Sequence, residues 1–229
     1  MATASSTGNT HLQAPTGEIR TLIRGVGWEG YEALLDWFGD DSPRLSYARG
    51  NVEFMSPLNR HERGKKYLGF MIETIAEETG LDFASFGSTT LRRRDIDCGL
   101  EADECYYFAG MEHLSNTDRI DLEVEPPPDL CLEIEITNSL LPKLEIYALI
   151  GVPEIWRFDG KSITIFRLGL ESRYVATERS LHLPFVPFED LRRFLAESGA
   201  EPELTWRRRF RAWVREVLVP LHRDHPPGK

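Results

Sequence analysis

Between Trp28 and Phe38 the apolar residues fall at 28, 31, 34, 35 and 38, a helical spacing closed by Gly39-Asp40-Asp41-Ser42-Pro43. Residues 44–48 and 52–55 read as two strands around Arg49-Gly50-Asn51, a tight hairpin turn. A long helix is predicted over 60–79, with Tyr67, Leu68, Met71, Ile72 and Ile75 on one face and Gly80 as its C-cap. Short strands follow at 81–86, 89–93 and 103–108, then an irregular or briefly helical stretch at 111–120. Three prolines at 126–128 break the chain before a strand at 129–136. Ser139 is placed as the N-cap of a short helix running to Ile150, with Pro142 in its first turn. A second hairpin turns at Asp159-Gly160 between 154–158 and 161–167, and 174–177 adds a strand. Helices are predicted at 188–197 and 204–219. Strands and helices alternate irregularly, which predicts an α/β fold: a mixed β-sheet flanked by helices on both faces. The chain divides into a tail at 1–17, an α/β domain at 18–199, and an Arg-rich C-terminal helix and tail at 200–229.

Within this pattern one strand breaks the rule that core strands are apolar. Leu132, Ile134 and Ile136 share one face, while Asp129, Cys131, Glu133 and Glu135 share the other. Thirty residues upstream, Glu101, Asp103 and Glu104 enter another apolar run. A carboxylate on a buried strand is costly unless a cation or hydrogen-bond donors neutralise it. The strand carries no basic residue of its own, so the row points to a hard divalent cation held through oxygen.

Composition narrows the class. A hydrophobic fraction of 41% over 229 residues supports a true core, unlike disordered chains. No run of eighteen apolar residues spans a membrane, and residues 1–13 lack the basic start and apolar stretch of a secretory signal. A cytoplasmic protein is expected. Cys98, Cys105 and Cys131 lack CxxC spacing and read as small core residues, and the six histidines form no zinc-ligand pair. The net charge of −10 argues against nucleic acid coating the whole surface, but not against a local basic groove. Candidate patches are Arg92-Arg93-Arg94, the set Arg63, Lys65 and Lys66, and the arginines at 207, 208, 209, 211 and 215, each with a solvated face as the rival reading.

The run PPDLCLEIEITNSLLPKLEIYALIGVPEIWRFDG, with GLEADECYYF and YARGNVEFMSP…H upstream, resembles the "putative restriction endonuclease" family often called Uma-two. That family belongs to the PD-(D/E)XK nuclease superfamily, and the resemblance covers about residues 27–195. It implies a restriction-endonuclease-like core that hydrolyses DNA with Mg²⁺ or Mn²⁺. Carried over, Asp103 and Glu133 match the two metal-holding carboxylates, and Glu135 stands where the superfamily usually has its lysine. The resemblance moves that lysine to Lys143, which also sits in a helical first turn, where the macrodipole disfavours a cation. Glu135 is a further candidate metal ligand, Glu53 matches the acidic residue before MSP, and His61 begins the long helix where the family often carries histidine.

The chemistry suits these residue types. Phosphodiester hydrolysis builds charge on oxygen and needs hydroxide near neutral pH, and a carboxylate-held Mg²⁺ supplies both. The rival is a degenerate nuclease fold that binds nucleic acid or protein without cutting, for which Glu135 in the lysine position is the best argument; a solvated acidic row is a third reading. Nucleases that cut both strands often work as dimers, which leaves a homodimer open.

Overall fold

The computed structural model describes residues 18–39, 43–108, 114 and 120–224; the tail expected at 1–17 and most of 111–120 lie outside them. Strand β1 (Ile19–Arg24) precedes helix α1 (Trp28–Phe38), then come β2 (Arg44–Ala48) and β3 (Asn51–Ser56). Arg49 and Gly50 both take positive φ, the backbone that lets a two-residue turn follow the twist of its strands. Helix α2 (Asn59–Thr79) ends at Gly80 in the left-handed conformation, as its sequence predicts. Strands β4 (Ala84–Phe86), β5 (Thr89–Arg93), β6 (Cys98–Ala102), β7 (Glu104–Tyr107) and β8 (Leu130–Ile134) follow.

Helix α3 (Lys143–Ile150) crosses to β9 (Glu154–Phe158), which pairs with β10 (Ile163–Leu168) and through it with β11 (Tyr174–Thr177). Helices α4 (Phe188–Ala196) and α5 (Glu203–Trp213) complete the core. The last helix continues through a π-helical turn (Val214–Leu218) into α6 (Val219–Asp224). Pro220 accounts for the widened turn: it has no N–H to donate, and its ring clashes with the carbonyl four residues back.

The mixed α/β architecture carries two sheets where one was expected. A five-stranded antiparallel sheet runs β1-β3-β2-β6-β5, and a six-stranded mixed sheet runs β11-β10-β9-β8-β7-β4. The 103–108 segment read as one strand is the second half of a longer run, 98–107, broken at Asp103 alone. Its first half, β6, pairs with β2 and β5; its second half, β7, pairs with β8 and β4. Asp103 thus marks the point where the chain leaves one sheet for the other.

β8 lies inside the mixed sheet, antiparallel to β7 and parallel to β9, and all five of its residues are buried. Leu130, Leu132 and Ile134 face a cluster built with Leu68, Met71 and Ile72 of α2 and with Trp206 and Phe210 of α5. Cys131 faces the other way, toward Ile146 and Tyr147 of α3. The predicted alternation holds, and both faces are covered. Gly64 lets α2 settle close to the sheet: a Cβ there would come within 3.1 Å of the Phe158 ring.

Candidate active site

Asp103 sits where the β7–β8 ladder ends. The register pairs Glu104 with Leu132, so the next step along each strand sets Asp103 beside Glu133. There the regular bonding fails: the Asp103 N–H donates to the Leu132 carbonyl at 3.3 Å. The Asp103 carboxylate, rather than a backbone carbonyl, accepts the Ile134 N–H at 2.6 Å. Its other oxygen pairs with the Arg44 guanidinium, and His61 Nε2 lies 3.4 Å from Oδ2. At 1% exposure the Asp103 carboxylate is fully buried, held by the Ile134 N–H and Arg44.

Glu133, equally buried, is held from α3. Lys143 Nζ pairs with Oε1, and the Tyr147 hydroxyl donates to Oε2 at 2.9 Å. Lys143 and Tyr147 are four residues apart on one helix, so both side chains reach the same strand. Burial, then the Glu133 charge, pushes the Tyr147 phenol well above its ordinary value and keeps its proton available to donate. Ser139 does not cap α3; Pro142 holds that position. The Ser139 hydroxyl donates to Glu53 at 2.7 Å and its N–H to Glu135 at 2.9 Å.

Glu135 also accepts from Arg157 at 3.3 Å. Glu53 pairs with Arg20, and its second oxygen accepts the N–H groups of Leu140 and Leu141 at 2.9 Å each. Its Oε2 thus ties down the loop that feeds Lys143 into α3, while Oε1 faces Arg20 of β1. Glu133, Glu135, Ser139, Lys143 and Arg157 line a cleft of about 280 Å³.

The acidic row, expected to face a divalent cation, also faces cations of the protein itself. Each of the four carboxylates has one cation from another element: Arg44 on Asp103, Lys143 on Glu133, Arg157 on Glu135, Arg20 on Glu53. The strand carries no base of its own because its neighbours supply them. Among the described residues no three His, Cys, Asp or Glu side chains converge on one metal position. Asp103 and Glu133 still provide the donor set that Mg²⁺ accepts, one or two carboxylates with the rest water. Both nitrogens of His61 are buried without a hydrogen-bond partner. Burial first, then the charges of Arg44, Lys143, Arg20 and Lys65, pushes the His61 imidazole down to about 3, so it is neutral here.

Sequence reasoning placed Lys143 near this strand but overlooked Arg44, Arg20 and Tyr147. Tyr147 was signalled by its four-residue spacing from Lys143. Arg44 carried no signal, since an arginine opening a strand reads as solvated.

The family described as "Putative restriction endonuclease" (Uma2) matches residues 28–216 of the chain. Among solved structures, a putative nuclease of DUF820 from Anabaena variabilis aligns at 14% identity with a TM-score of 0.47. That alignment covers 67% of this chain and 92% of the other. No curated protein matches.

Proposed function

Because the chain belongs to the Uma2 family of "putative restriction endonucleases", we propose that it is a metal-dependent endonuclease acting on DNA. One observation carries the reading: a lysine from the crossover helix seats its ammonium on the buried Glu133 carboxylate, beside Asp103. Two carboxylates and a lysine at one strand end suit metal-assisted phosphodiester hydrolysis.

Asp103 and Glu133 would hold Mg²⁺ or Mn²⁺, with Glu135 reaching it directly or through water. When bound, such an ion acts as a Lewis acid and lowers the pKa of its water. Lys143 moves off Glu133 and turns its charge toward the phosphate oxygens, where negative charge grows in the transition state. Tyr147 keeps its bond to Glu133 and fixes the carboxylate. Arg44 and the Ile134 N–H hold Asp103 in place. Glu53 positions the 139–141 loop and so the start of α3.

The test is cleavage of DNA by purified protein with Mg²⁺ or Mn²⁺ and with EDTA. Asp103→Asn and Glu133→Gln keep the side-chain shape and one acceptor oxygen, lose the charge, and should each abolish cutting; unchanged activity in both would sink the site. Lys143→Met should cost about 10²–10³ in rate, the usual loss for one transition-state donor. Full activity in Lys143→Met would assign that charge to another base.

The Glu135–Arg157 pair favours a second reading, a nuclease fold that binds without cutting, because it fills the superfamily's lysine position with a neutralised carboxylate. It predicts that wild type and Lys143→Met are equally inactive while both bind metal.

A further inference from the structure

The mixed sheet has a second cleft at the same strand ends, on the opposite face. Glu135 and Ile136 are consecutive on the chain leaving β8, and Arg157 and Phe158 are consecutive on β9. Glu135 and Arg157 line the acidic cleft. Ile136 and Phe158 line a cleft of about 400 Å³ between α2, the end of α4 and the β9–β10 turn. Consecutive strand residues point to opposite faces, so the two clefts lie back to back across the carboxyl ends of the parallel pair β8 and β9. Open α/β sheets bind ligands outside such ends.

The second cleft is basic. Arg60, Arg63 and Lys161 line it against one carboxylate, Asp159. One oxygen of that carboxylate, Oδ1, is turned to its own loop, where it accepts the N–H groups of Lys161 and Ser162 at 2.8 Å each. Arg63 lies over the Tyr67 ring, 5.5 Å from its centroid, which fixes the guanidinium at the wall. Arg60 and Lys161 are exposed. Among the described residues neither makes an ion pair, whereas Arg207, Arg209, Arg211 and Arg215 are each paired with a glutamate. On a chain of net charge −10, three cations against one carboxylate are a local reversal of the field.

We propose that this cleft binds the phosphodiester backbone of the DNA substrate, next to the scissile phosphate at Glu133 and Lys143. The ligand's identity rests on the nuclease reading; the anionic chemistry rests on the cleft itself. A backbone crossing the strand ends meets the carboxylate–lysine cleft on one face and three phosphate-directed cations on the other. Point charges of this kind position a duplex without reading its sequence.

The experiment is fluorescence anisotropy of a short labelled duplex in EDTA, repeated between 50 and 200 mM salt, the range over which phosphate contacts show. Arg60→Ala/Lys161→Ala removes two exposed side chains and leaves Arg63 on Tyr67. Its salt slope should fall by about 2, and its affinity about tenfold, since each phosphate contact contributes a slope of about 0.9. Mn²⁺ binding should be unchanged, and Arg215→Ala, as a charge control, should bind DNA as wild type does. A wild-type slope and affinity in the double variant would overturn the proposal. So would displacement of the duplex by millimolar inorganic phosphate at constant ionic strength, which would make the cleft a free-anion site. Wild type that binds DNA through these residues but never cuts it overturns the nuclease reading alone. Wild type that cuts while the double variant binds normally overturns the cleft alone.

Discussion

Lys143→Met in the absence of metal isolates what the ammonium does for the fold. Lys143 is 8% exposed and Glu133 1%, and among the described residues the second Glu133 oxygen accepts from the Tyr147 hydroxyl alone. Deleting one partner of a buried pair costs about 3–5 kcal/mol, because the survivor is left charged and dry. Methionine keeps the packed stem, so the loss reports charge rather than volume. Tyr147 retains a bond to a charged acceptor, worth about 1.5–3 kcal/mol, which places the expected loss near the low end, about 3 kcal/mol. In a chain of this size each kcal/mol moves the midpoint by about 2–4 °C, so the variant should melt about 6–12 °C below wild type in EDTA. A divalent ion on Glu133 replaces the missing charge, and at a hundred times its Kd it returns about 2.7 kcal/mol. Saturating Mg²⁺ should therefore raise the midpoint of Lys143→Met more than that of wild type, whose ammonium the ion must displace. Adding Glu133→Gln to the variant removes the stranded charge, keeps an acceptor for Tyr147, and should recover most of the loss in EDTA. Thermal melts followed by circular dichroism read all three proteins. An unchanged midpoint in EDTA would remove Lys143 from Glu133; equal Mg²⁺ shifts in variant and wild type would remove the metal from Glu133.

Glu53→Gln keeps an acceptor for the Leu140 and Leu141 N–H groups but loses the charge facing Arg20, at about 1.5–3 kcal/mol. Cleavage should fall less than in Lys143→Met; loss of all cutting at wild-type stability would put Glu53 in the chemistry. Gly99→Ala sets a Cβ 2.7 Å from the Tyr31 hydroxyl and 3.0 Å from the Arg92 Cβ. The resulting overpacking should cost about 1–3 kcal/mol in urea unfolding, and a wild-type midpoint would contradict it. Trp206→Ala empties a fully buried site where the indole N–H donates to the Phe194 carbonyl at 2.9 Å. A loss of about 3–5 kcal/mol is expected, and near-wild-type stability would detach α5 from the core.

Much of this architecture could be read from side-chain period. The helices over 28–38 and 60–79, both hairpins and the two-faced strand at 129–136 follow from local spacing and turn residues. β1 was missed because its exposure alternates weakly along an edge strand, leaving little apolar signal. β6 was left unassigned because Asp97 and Gly99 interrupt its apolar run; Gly99 is required by the Tyr31 ring above it. The division into two sheets depends on which strands pair across long sequence separations, and no local period encodes that. In the candidate site, the carboxylates announced themselves as charges on apolar strands. The cations opposite them did not, because Arg44, Arg20 and Arg157 become partners only after β2, β1 and β9 are assembled around β8.

The break at Asp103 has a consequence for how the molecule opens. β6 and β7 form one stretch of chain shared by both sheets, so neither sheet can peel away without loading the single residue between them. The Ile134 amide is protected by that residue's carboxylate, at the seam. Its hydrogen exchange should therefore follow global unfolding rather than fraying of either sheet. An amide protected by the side chain of a proposed metal ligand makes local breathing and chemical competence the same event. If the seam loosens, the ladder and the carboxylate's aim are lost together.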